Sequence, residues 1–355
     1  MDKYRIDSHK LIYHVSRVHH WLEGKVIYPL YMEISPSGMC NHRCTFCGLD
    51  FMEYQKKFLD TGILKERLSE MGALGLKSVM YAGEGEPFLH KQIEEIISHT
   101  KKSGIDVALT TNAVLFKESL AEEVLGNVEW IKVSINAGTS ETYAKIHRTK
   151  PSDFDTVIAN MSRAVKIKRD NGYHCALGMQ LLLLPDNMNE AVALATLARN
   201  IGMDYLVVKP YSQHLLSKTQ IYKDIKYNDC LSLADELKKI NTNEFSVIFR
   251  LRAMTKWDAG TRNYKNCLAQ PFWSYLDAGG NVWGCSVYLG DSRFLYGNIY
   301  ENTFQEIWKG EKRRESLRWV DKELDTAQCR VNCRMDEINR YLWDLKNPPI
   351  HVNFI

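Results

Sequence analysis

The sequence has no apolar run approaching the roughly 18 residues that a membrane span needs. Its opening, MDKYRIDSHK, is charged and polar where a secretory signal would set a basic cap before an apolar core. An excess of one charge is missing too: 46 Lys and Arg face 43 Asp and Glu, a formal net charge of +3. That balance gives no reason to expect nucleic acid or an acidic membrane as a partner. No repeat, low-complexity block or long linker interrupts the 355 residues. What remains, 45% apolar and 25% charged, is the composition of a soluble, cytoplasmic globular protein able to bury a sizeable core. The length favours one large domain with a smaller appendage.

Nine cysteines, at 40, 44, 47, 175, 230, 267, 285, 329 and 333, stand out against this background. Without a secretory signal a disulfide framework explains them poorly, because cytosolic thiols stay reduced. Their clustering points to metal. Cys40, Cys44 and Cys47 share the segment MCNHRCTFCGLD, whereas Cys267, Cys285, Cys329 and Cys333 form a looser set near the C-terminus. Cys175 and Cys230 sit alone in apolar-periodic segments and read as buried small hydrophobes. Three cysteines are one short of a closed zinc site, although His42 or a distant residue can supply the fourth ligand. Around a four-iron cubane, three thiolates leave one iron open to a substrate or cofactor. The C-x3-C-x2-C spacing lets one loop wrap three corners of a compact cluster, and that loop follows the strand-like YMEIS. The carboxyl end of a first strand is where α/β barrels keep their chemistry.

On Cys40, Cys44 and Cys47, with the aromatic Phe46 before the third cysteine, the sequence resembles the radical S-adenosylmethionine (SAM) superfamily. The resemblance implies a [4Fe-4S] cluster whose open iron chelates SAM and reductively cleaves it to a 5′-deoxyadenosyl radical. That radical abstracts a substrate hydrogen atom. It further implies a one-electron donor such as flavodoxin or ferredoxin. The cofactor carries the hard chemistry; the protein positions and shields it.

From 30 to 240 the chain alternates short β-type runs with longer helical stretches, the mark of parallel βα units. The clearest runs are YMEIS, SVMYAG, VALTTN, WIKVSIN, ALGMQLLLL and YLVVKP, which suit a partial (β/α)6 barrel of TIM-like α/β class, the fold of that family. The turn after the second run holds Gly83, Glu84, Gly85, Glu86 and Pro87. Glycines there admit close backbone approach, and acidic groups suit an ammonium. It resembles the family's glycine–glutamate motif, which contacts the SAM amino group. The third run ends with Thr111 and Asn112, and the fourth places Ser134 and Asn136 on one face by the two-residue period. By resemblance, Asn112, Ser134 and Asn136 reach the ribose hydroxyls or the methionine carboxylate of SAM; a strand end satisfying its own backbone is the plainer reading. Arg148 offers a charge-assisted contact to that carboxylate, or is a surface arginine, while neighbouring His147 reads as structural. Leu183 and Leu184 read equally as adenine contacts or as core. Lys209, ending the sixth run, can touch substrate or take a hydroxyl proton if burial lowers its pKa; a rim salt bridge is the alternative.

Beyond Cys267 the pattern shortens. YLDAGGNVWGCSVY carries Gly279 and Gly280 between two β-type runs, a hairpin signal, and a turn and helix follow in YGNIYENTFQEIWKG. If TAQCRVNCRMDEINRYL is helical, Cys329 and Cys333 lie at i and i+4 on one face. Four thiolates can enclose one metal, zinc or iron–sulfur. Cys267, Gly280 with four residues between it and Cys285, and the Cys329/Cys333 pair resemble the Twitch variety of the SPASM-type domain, which implies one auxiliary [4Fe-4S] cluster. The expected organisation is thus a helical extension over 1–29, the barrel over 30–240 and a small α+β auxiliary-cluster domain with its tail over 241–355. HKLIYHVSRVHHWLEGKVIYPL reads as one amphipathic helix packing on the barrel.

A fully ligated second cluster is best used for electron transfer. The domain plan resembles the Twitch aminocyclitol dehydrogenases, which implies a small-molecule substrate, a sugar, nucleotide sugar or cyclitol whose secondary alcohol is oxidised to a ketone. An epimerase usually returns hydrogen from a nearby thiol, and Cys175 and Cys230 are poorly placed for that, although a tyrosine can donate instead. A peptide maturase commonly carries a leader-binding domain, and only 39 residues precede Cys40. A zinc-holding scaffold without catalysis is the non-enzymatic alternative.

Overall fold

The computed structural model describes residues 3–228 and 230–354; the outer ends of the first and last expected spans, 1–2 and 355, lie outside the described residues. All six β-type runs form parallel strands: β1 (Tyr31–Ile34), β2 (Ser78–Tyr81), β3 (Asp106–Thr111), β4 (Trp130–Ser134), β5 (Ala176–Leu183) and β6 (Tyr205–Pro210). Each pairs with the next in sequence, and helices fill the crossovers. Alternation sorts the side chains of every strand. Met32, Ile34, Val79, Tyr81, Val107, Leu109, Ile131, Val133, Leu177, Met179, Leu206 and Val208 join one apolar core with the helices. The intervening positions, among them Tyr31, Glu33, Met80, Trp130, Lys132, Tyr205 and Lys209, face the barrel interior.

The sheet does not stop where the expected barrel span ends at 240. β7 (Ser246–Phe249) pairs parallel to β6, and β8 (Trp273–Leu276) pairs parallel to the free edge of β1. β9 (Asn281–Trp283) and β10 (Leu295–Asn298) then fold back antiparallel, giving one ten-stranded sheet in the order β10-β9-β8-β1-β2-β3-β4-β5-β6-β7. The shift in sequence pattern therefore marks the loss of regular crossover helices, not the end of the ladder; an unpaired β1 edge would leave its backbone groups unsatisfied. The predicted hairpin is β8–β9, with Gly280 at φ +85°, a left-handed position that favours glycine.

Two expected helices are shorter than the sequence suggested. Within residues 9–30 only a 3-10 turn (Leu11–Tyr13) and a helix (Val15–Leu22) form; Gly24, at φ +74°, follows the helix end, and the chain runs extended to β1. Its apolar residues Leu11, Val18, Ile27 and Leu30 pack on Leu268, Phe272 and Leu342 rather than on the barrel helices. Near the other end, Cys329 and Cys333 lie on an irregular loop with Asn332 left-handed at φ +44°, and the helix begins only at Asp336. Among the described residues no helix is long and apolar enough to cross a membrane.

At the base of the barrel the ring of Tyr205 lies over Gly178, where a Cβ would come within 2.1 Å of it. Tyr205, Val207 and Ile248 close that end together with Tyr4 and Ile6 from the N-terminal segment. The opposite end, where the strands finish, stays open to the loops.

Candidate active site

The first cysteine loop leaves the carboxyl end of β1, as expected, and neighbouring elements hold it on both sides. Met39 O accepts from Glu86 N (2.8 Å), Thr45 N donates to Ile146 O (2.8 Å), and Ser217 Oγ donates to Cys47 O (3.2 Å). Cys40, Cys44 and Cys47 are partly accessible and unbridged. Burial, then Glu86 and Cys47, push the Cys40 thiol up to about 12. Burial, then Cys47 and Cys40, push Cys44 well above the usual thiol range. Thiols whose ionisation is opposed by a neighbouring thiol, as at Cys40 and Cys44, suit a bound cation, and one open loop carrying three of them could hold a cluster at three corners.

His147 proves to be part of this wall. Its Nε2 faces Ile135 O at 2.9 Å, so that nitrogen carries the proton and Nδ1, 3.2 Å from Cys44 Sγ, is the bare one. Burial, then His42, lower its pKa to about 3, keeping the ring neutral. His42, Cys44 and His147 bring their ligand atoms within 4.8 Å of one another, a spacing suited to a single ion. Phe46 meets the His147 ring edge-on at 5.1 Å. Arg148 ends the preceding helix in a left-handed conformation, exposed, and lines an open cavity of about 600 Å³ with Arg43, Cys44, Asp50, Tyr54 and Lys218.

The glycine–acid turn touches the cysteine loop directly. A Cβ on Gly85 would lie 2.0 Å from Met39 O and 2.6 Å from Ser37 O, so only glycine permits this approach. Gly83, at φ +113°, is equally restricted by Ser35 and Tyr275. The two carboxylates are engaged by the protein. Glu86 accepts from Thr111 Oγ1 (2.5 Å), Asn112 N (2.8 Å) and Phe88 N (3.2 Å), and Glu84 accepts from Ala278 N (3.2 Å) in the β8–β9 turn. Burial raises both to about 7, with Asp277 adding to the effect at Glu84. Asn112 Nδ2 donates to Asn41 beside Cys40 (2.6 Å), which ties the third strand to the first loop.

Ser134 and Asn136 do not share a face. β4 ends at Ser134, whose Oγ is 3.5 Å from Gln180 Nε2; Asn136 turns left-handed at φ +52° and its Oδ1 accepts from Leu182 N (2.8 Å). Its Nδ2 is buried without a partner among the described residues, the one polar atom it has left to offer. Leu183 and Leu184 are wholly buried core.

The second set of cysteines converges although the chain between them is irregular. Cys267 feels the charges of Cys333 and Cys329; Cys285 feels those of Cys333, Cys267 and Cys329. Burial dominates in each case, pushing Cys267 up to about 12 and Cys285 well above the usual range. Backbone N–H groups of Val287 and Met335 point at Cys285 and Cys333 Sγ, both at 3.4 Å, and Tyr288 OH meets Cys329 Sγ at 3.2 Å. N–H donors around four converging thiols are the surroundings of a fully ligated metal centre. Cys175 and Cys230, 3% and 4% exposed, belong to the apolar core instead.

The two cysteine sites meet across one layer of residues. His214 packs its Cβ 3.7 Å from the position a Cβ on Gly48 would take, beside Cys47, and its Nε2 lies 3.2 Å from Ser286 O, beside Cys285. Arg330, beside Cys329, reaches the same Gly48 position at 3.7 Å and donates to Ser212 Oγ (2.8 Å).

Below them lies the barrel interior. Lys209 keeps some accessible surface, and burial followed by Lys132, Arg250, Arg334 and Arg330 holds its ammonium well below the usual lysine range. The rim salt bridge considered for it does not form among the described residues. Lys132 on β4 is pushed down to about 8 by burial, then by Arg334 and Arg250. Arg334, next to Cys333, extends into the barrel to Tyr31 OH (2.8 Å) and Glu33 (2.8 Å). Lys132, Arg330 and Arg334 were not singled out from sequence. Lys132 had a usable signal, a lysine at an inward position of WIKVSIN; the two arginines had none until the cysteine loop was placed.

Comparison with known proteins agrees with this arrangement. A family model described as the radical SAM superfamily matches residues 34–198, and one described as an iron–sulfur cluster-binding domain, SPASM, matches 267–334. A tungsten-containing aldehyde ferredoxin oxidoreductase cofactor-modifying protein of Pyrococcus furiosus is 24% identical over 324 residues, 84% of this chain and 85% of its own length. A GTP 3′,8-cyclase of Chlorobaculum tepidum is 26% identical over 198 residues, which is 53% of this chain and spans only 56% of the cyclase. Among solved structures, Streptococcus suis SuiB bound to S-adenosylmethionine superposes with a TM-score of 0.66 at 18% identity, over 84% of this chain and 70% of that one. Native anSMEcpe with bound AdoMet gives 0.57 at 18%, over 88% and 89%. At such identities the structures share the fold.

Proposed function

We propose that this chain, a radical SAM enzyme with a SPASM iron–sulfur domain, oxidises a secondary alcohol of a sugar-, nucleotide-sugar- or cyclitol-type substrate to a ketone. Its cofactors are SAM, the SAM-binding [4Fe-4S] cluster and an auxiliary cluster. When bound they supply a 5′-deoxyadenosyl radical and an electron acceptor, so the carbinol gives up one hydrogen atom, one electron and, to a base, one proton. In this reading Cys40, Cys44 and Cys47 hold the first cluster, and Cys267, Cys285, Cys329 and Cys333 hold a single auxiliary one. The seven clustered cysteines are thereby used, and the two left over are buried in the core.

The protein's own part is positional. Gly83 and Gly85 keep the second-strand turn against the first cysteine loop, leaving their backbone free toward SAM, while Glu86 and Asn112 fix the adjoining strand ends. Arg148 and the unpartnered Asn136 Nδ2 are the polar groups assigned to SAM. Lys209, at the mouth end of β6 and held toward its neutral form, accepts the hydroxyl proton. The observation carrying the proposal is the one-residue separation of the two cysteine loops through His214 and Arg330, since the substrate's second electron needs an acceptor beside the site of hydrogen removal. Buried Cys175 and Cys230 are unavailable to return a hydrogen atom, which weighs against epimerisation.

The test is anaerobic reconstitution of the Cys285→Ala variant. Wild type is expected to hold roughly eight irons, from two four-iron clusters. The variant should lose about half of them, still release 5′-deoxyadenosine, and form no product two mass units lighter than its substrate. Product formation by the variant at the normal rate would remove the electron-acceptor role. Two zinc ions per wild-type chain with no iron would establish the scaffold reading.

A further inference from the structure

We infer that the substrate carries an anionic oxygen group, a phosphate or a carboxylate, which seats inside the barrel between Lys132 and Arg334. This names the substrate class for the oxidation proposed above and rests on that reading only for what happens to the substrate afterwards.

The inference starts from which interior cations already have a partner. Arg250 is paired with Asp7 at 3.1 Å. Arg330 donates to Ser212 and faces the Cys333 thiol, so the four-cysteine centre is its counter-charge. Arg334 shares Glu33 at 2.8 Å yet leaves 43% of its side chain accessible. Lys132 and Lys209 make no hydrogen bond or ion pair among the described residues; Lys132 has only the Trp130 ring, 5.4 Å from its Nζ. Two lysines thus enter a protein-walled interior without an ion pair of their own; Glu33, engaged by Arg334, only partly offsets the repulsion at Lys132, and the arginines repel both. An unpaired buried charge is costly unless something supplies the opposite sign. Both keep some accessible surface.

Position along the strands decides which lysine binds the anion. Tyr31, Trp130 and Tyr205, the first residues of β1, β4 and β6, form the floor. Glu33 and Lys132 stand one inward position higher, and Arg334 reaches down to that level through Tyr31 and Glu33. Lys209 stands nearer the mouth: Lys132 is two residues beyond Trp130 on β4, and Lys209 four beyond Tyr205 on β6. That difference of two residues is roughly 7 Å of strand at about 3.3 Å per residue. In a monosaccharide phosphate or a small hydroxy acid the anion and a carbinol are separated on this scale. The anion would rest on Lys132 and Arg334, and the carbinol would lie by Lys209, beneath the first cysteine loop. Arg334 presents a planar fork suited to two oxygens of one anion, and Lys132 adds a point charge.

Calorimetric titration of the reconstituted holoenzyme with inorganic phosphate, and separately with acetate, tests the seat without any turnover. Saturable binding is expected for at least one, and the preferred ion tells phosphate from carboxylate. Lys132→Met should weaken binding at least about tenfold, the loss of one charge-assisted contact, while Lys132→Arg should keep it; iron content and circular dichroism check that both variants fold. Saturable binding of neither ion, or unchanged binding by Lys132→Met, would overturn the inference. Phosphate binding with the expected variant pattern but no alcohol oxidation would defeat the proposed reaction and leave the seat intact. Oxidation of a neutral alcohol by an enzyme binding neither anion would do the reverse.

Discussion

Replacing Lys132 with methionine is expected to stabilise the protein at neutral pH, because the lysine is retained at a thermodynamic cost. In the folded chain its ammonium is pushed down to about 8 from an ordinary value of 10.5, burial being the main cause, with Arg334 and Arg250 adding to it and Glu33 opposing them. Between those values the unfolded chain holds a proton that the folded chain has released. Wild-type stability therefore rises with pH across the window, and the penalty is fully present below about 8. The difference of about 2.5 pKa units corresponds to about 3 kcal/mol at 1.36 kcal/mol per unit. Methionine keeps the length of the chain, has no charge to desolvate and relieves Lys209 of the neighbouring cation that repels it most. Urea unfolding of the anaerobic holoenzyme at pH 7 and pH 10.5 measures this. With a slope of about 3 kcal/mol/M the variant's midpoint should lie about 1 M higher at pH 7, and the gap should close at the higher pH. Taking the difference between variant and wild type cancels the tyrosines and thiols that titrate in the same range. A midpoint that falls in the variant, or a gap that does not narrow with pH, would refute the reasoning. Saturating phosphate should narrow the gap from the other side, by stabilising wild type and not the variant.

Two further outcomes follow from the same packing. Gly85→Ala places a methyl group 2.0 Å from Met39 O, a carbonyl that already accepts from Glu86 N; overpacking together with the lost hydrogen bond should cost about 2–4 kcal/mol, and reduced iron at the first cluster, measured by spectroscopy on anaerobic protein, should accompany it. Cys175→Ala and Cys230→Ala should each leave iron content unchanged and lower stability by about 1 kcal/mol, the effect of trimming a small buried group; loss of iron in either would mean a ligand assignment is wrong.

Much of the fold was readable because two periods carried it. Every predicted strand of the barrel exists, since Ile and Val alternating with polar or small residues can bury only one face of a strand. The cysteine groups were readable because spacing on one loop, as in Cys40, Cys44 and Cys47, is local information. What failed depended on distant partners. The segments around Val18 and Cys333 have helical patterns, yet Gly24 ends one helix early, and the need to aim Cys329 and Cys333 at Cys267 and Cys285 keeps the other irregular. Asn136 was expected on the strand face and instead caps β5 through Leu182 N, a bond that no pattern within β4 encodes. Glu84 and Glu86 read as acids for an ammonium, but their donors, Ala278 N in the β8–β9 turn and Thr111 Oγ1 and Asn112 N at the end of β3, come from distant parts of the chain.

The interior cations show where composition misleads. A net charge of +3 argues against an acidic macromolecular partner over the outer surface, and it says nothing about a lumen. This chain has carboxylates enough to neutralise its buried lysines, and elsewhere it does so: Lys168 meets Asp204 at 2.8 Å, and Lys256 meets Asp336 at 2.8 Å. Even within the barrel, Arg250 has Asp7 and Arg334 has Glu33. Lys132 and Lys209 are therefore not lysines for which the fold had no acid to offer. The one carboxylate near them, Glu33, is taken by Arg334, and neither lysine has an ion pair among the described residues. Methionine or leucine would fill those strand positions at lower cost if packing alone set them, so the penalty at Lys132 is the expected signature of a charge kept for a ligand.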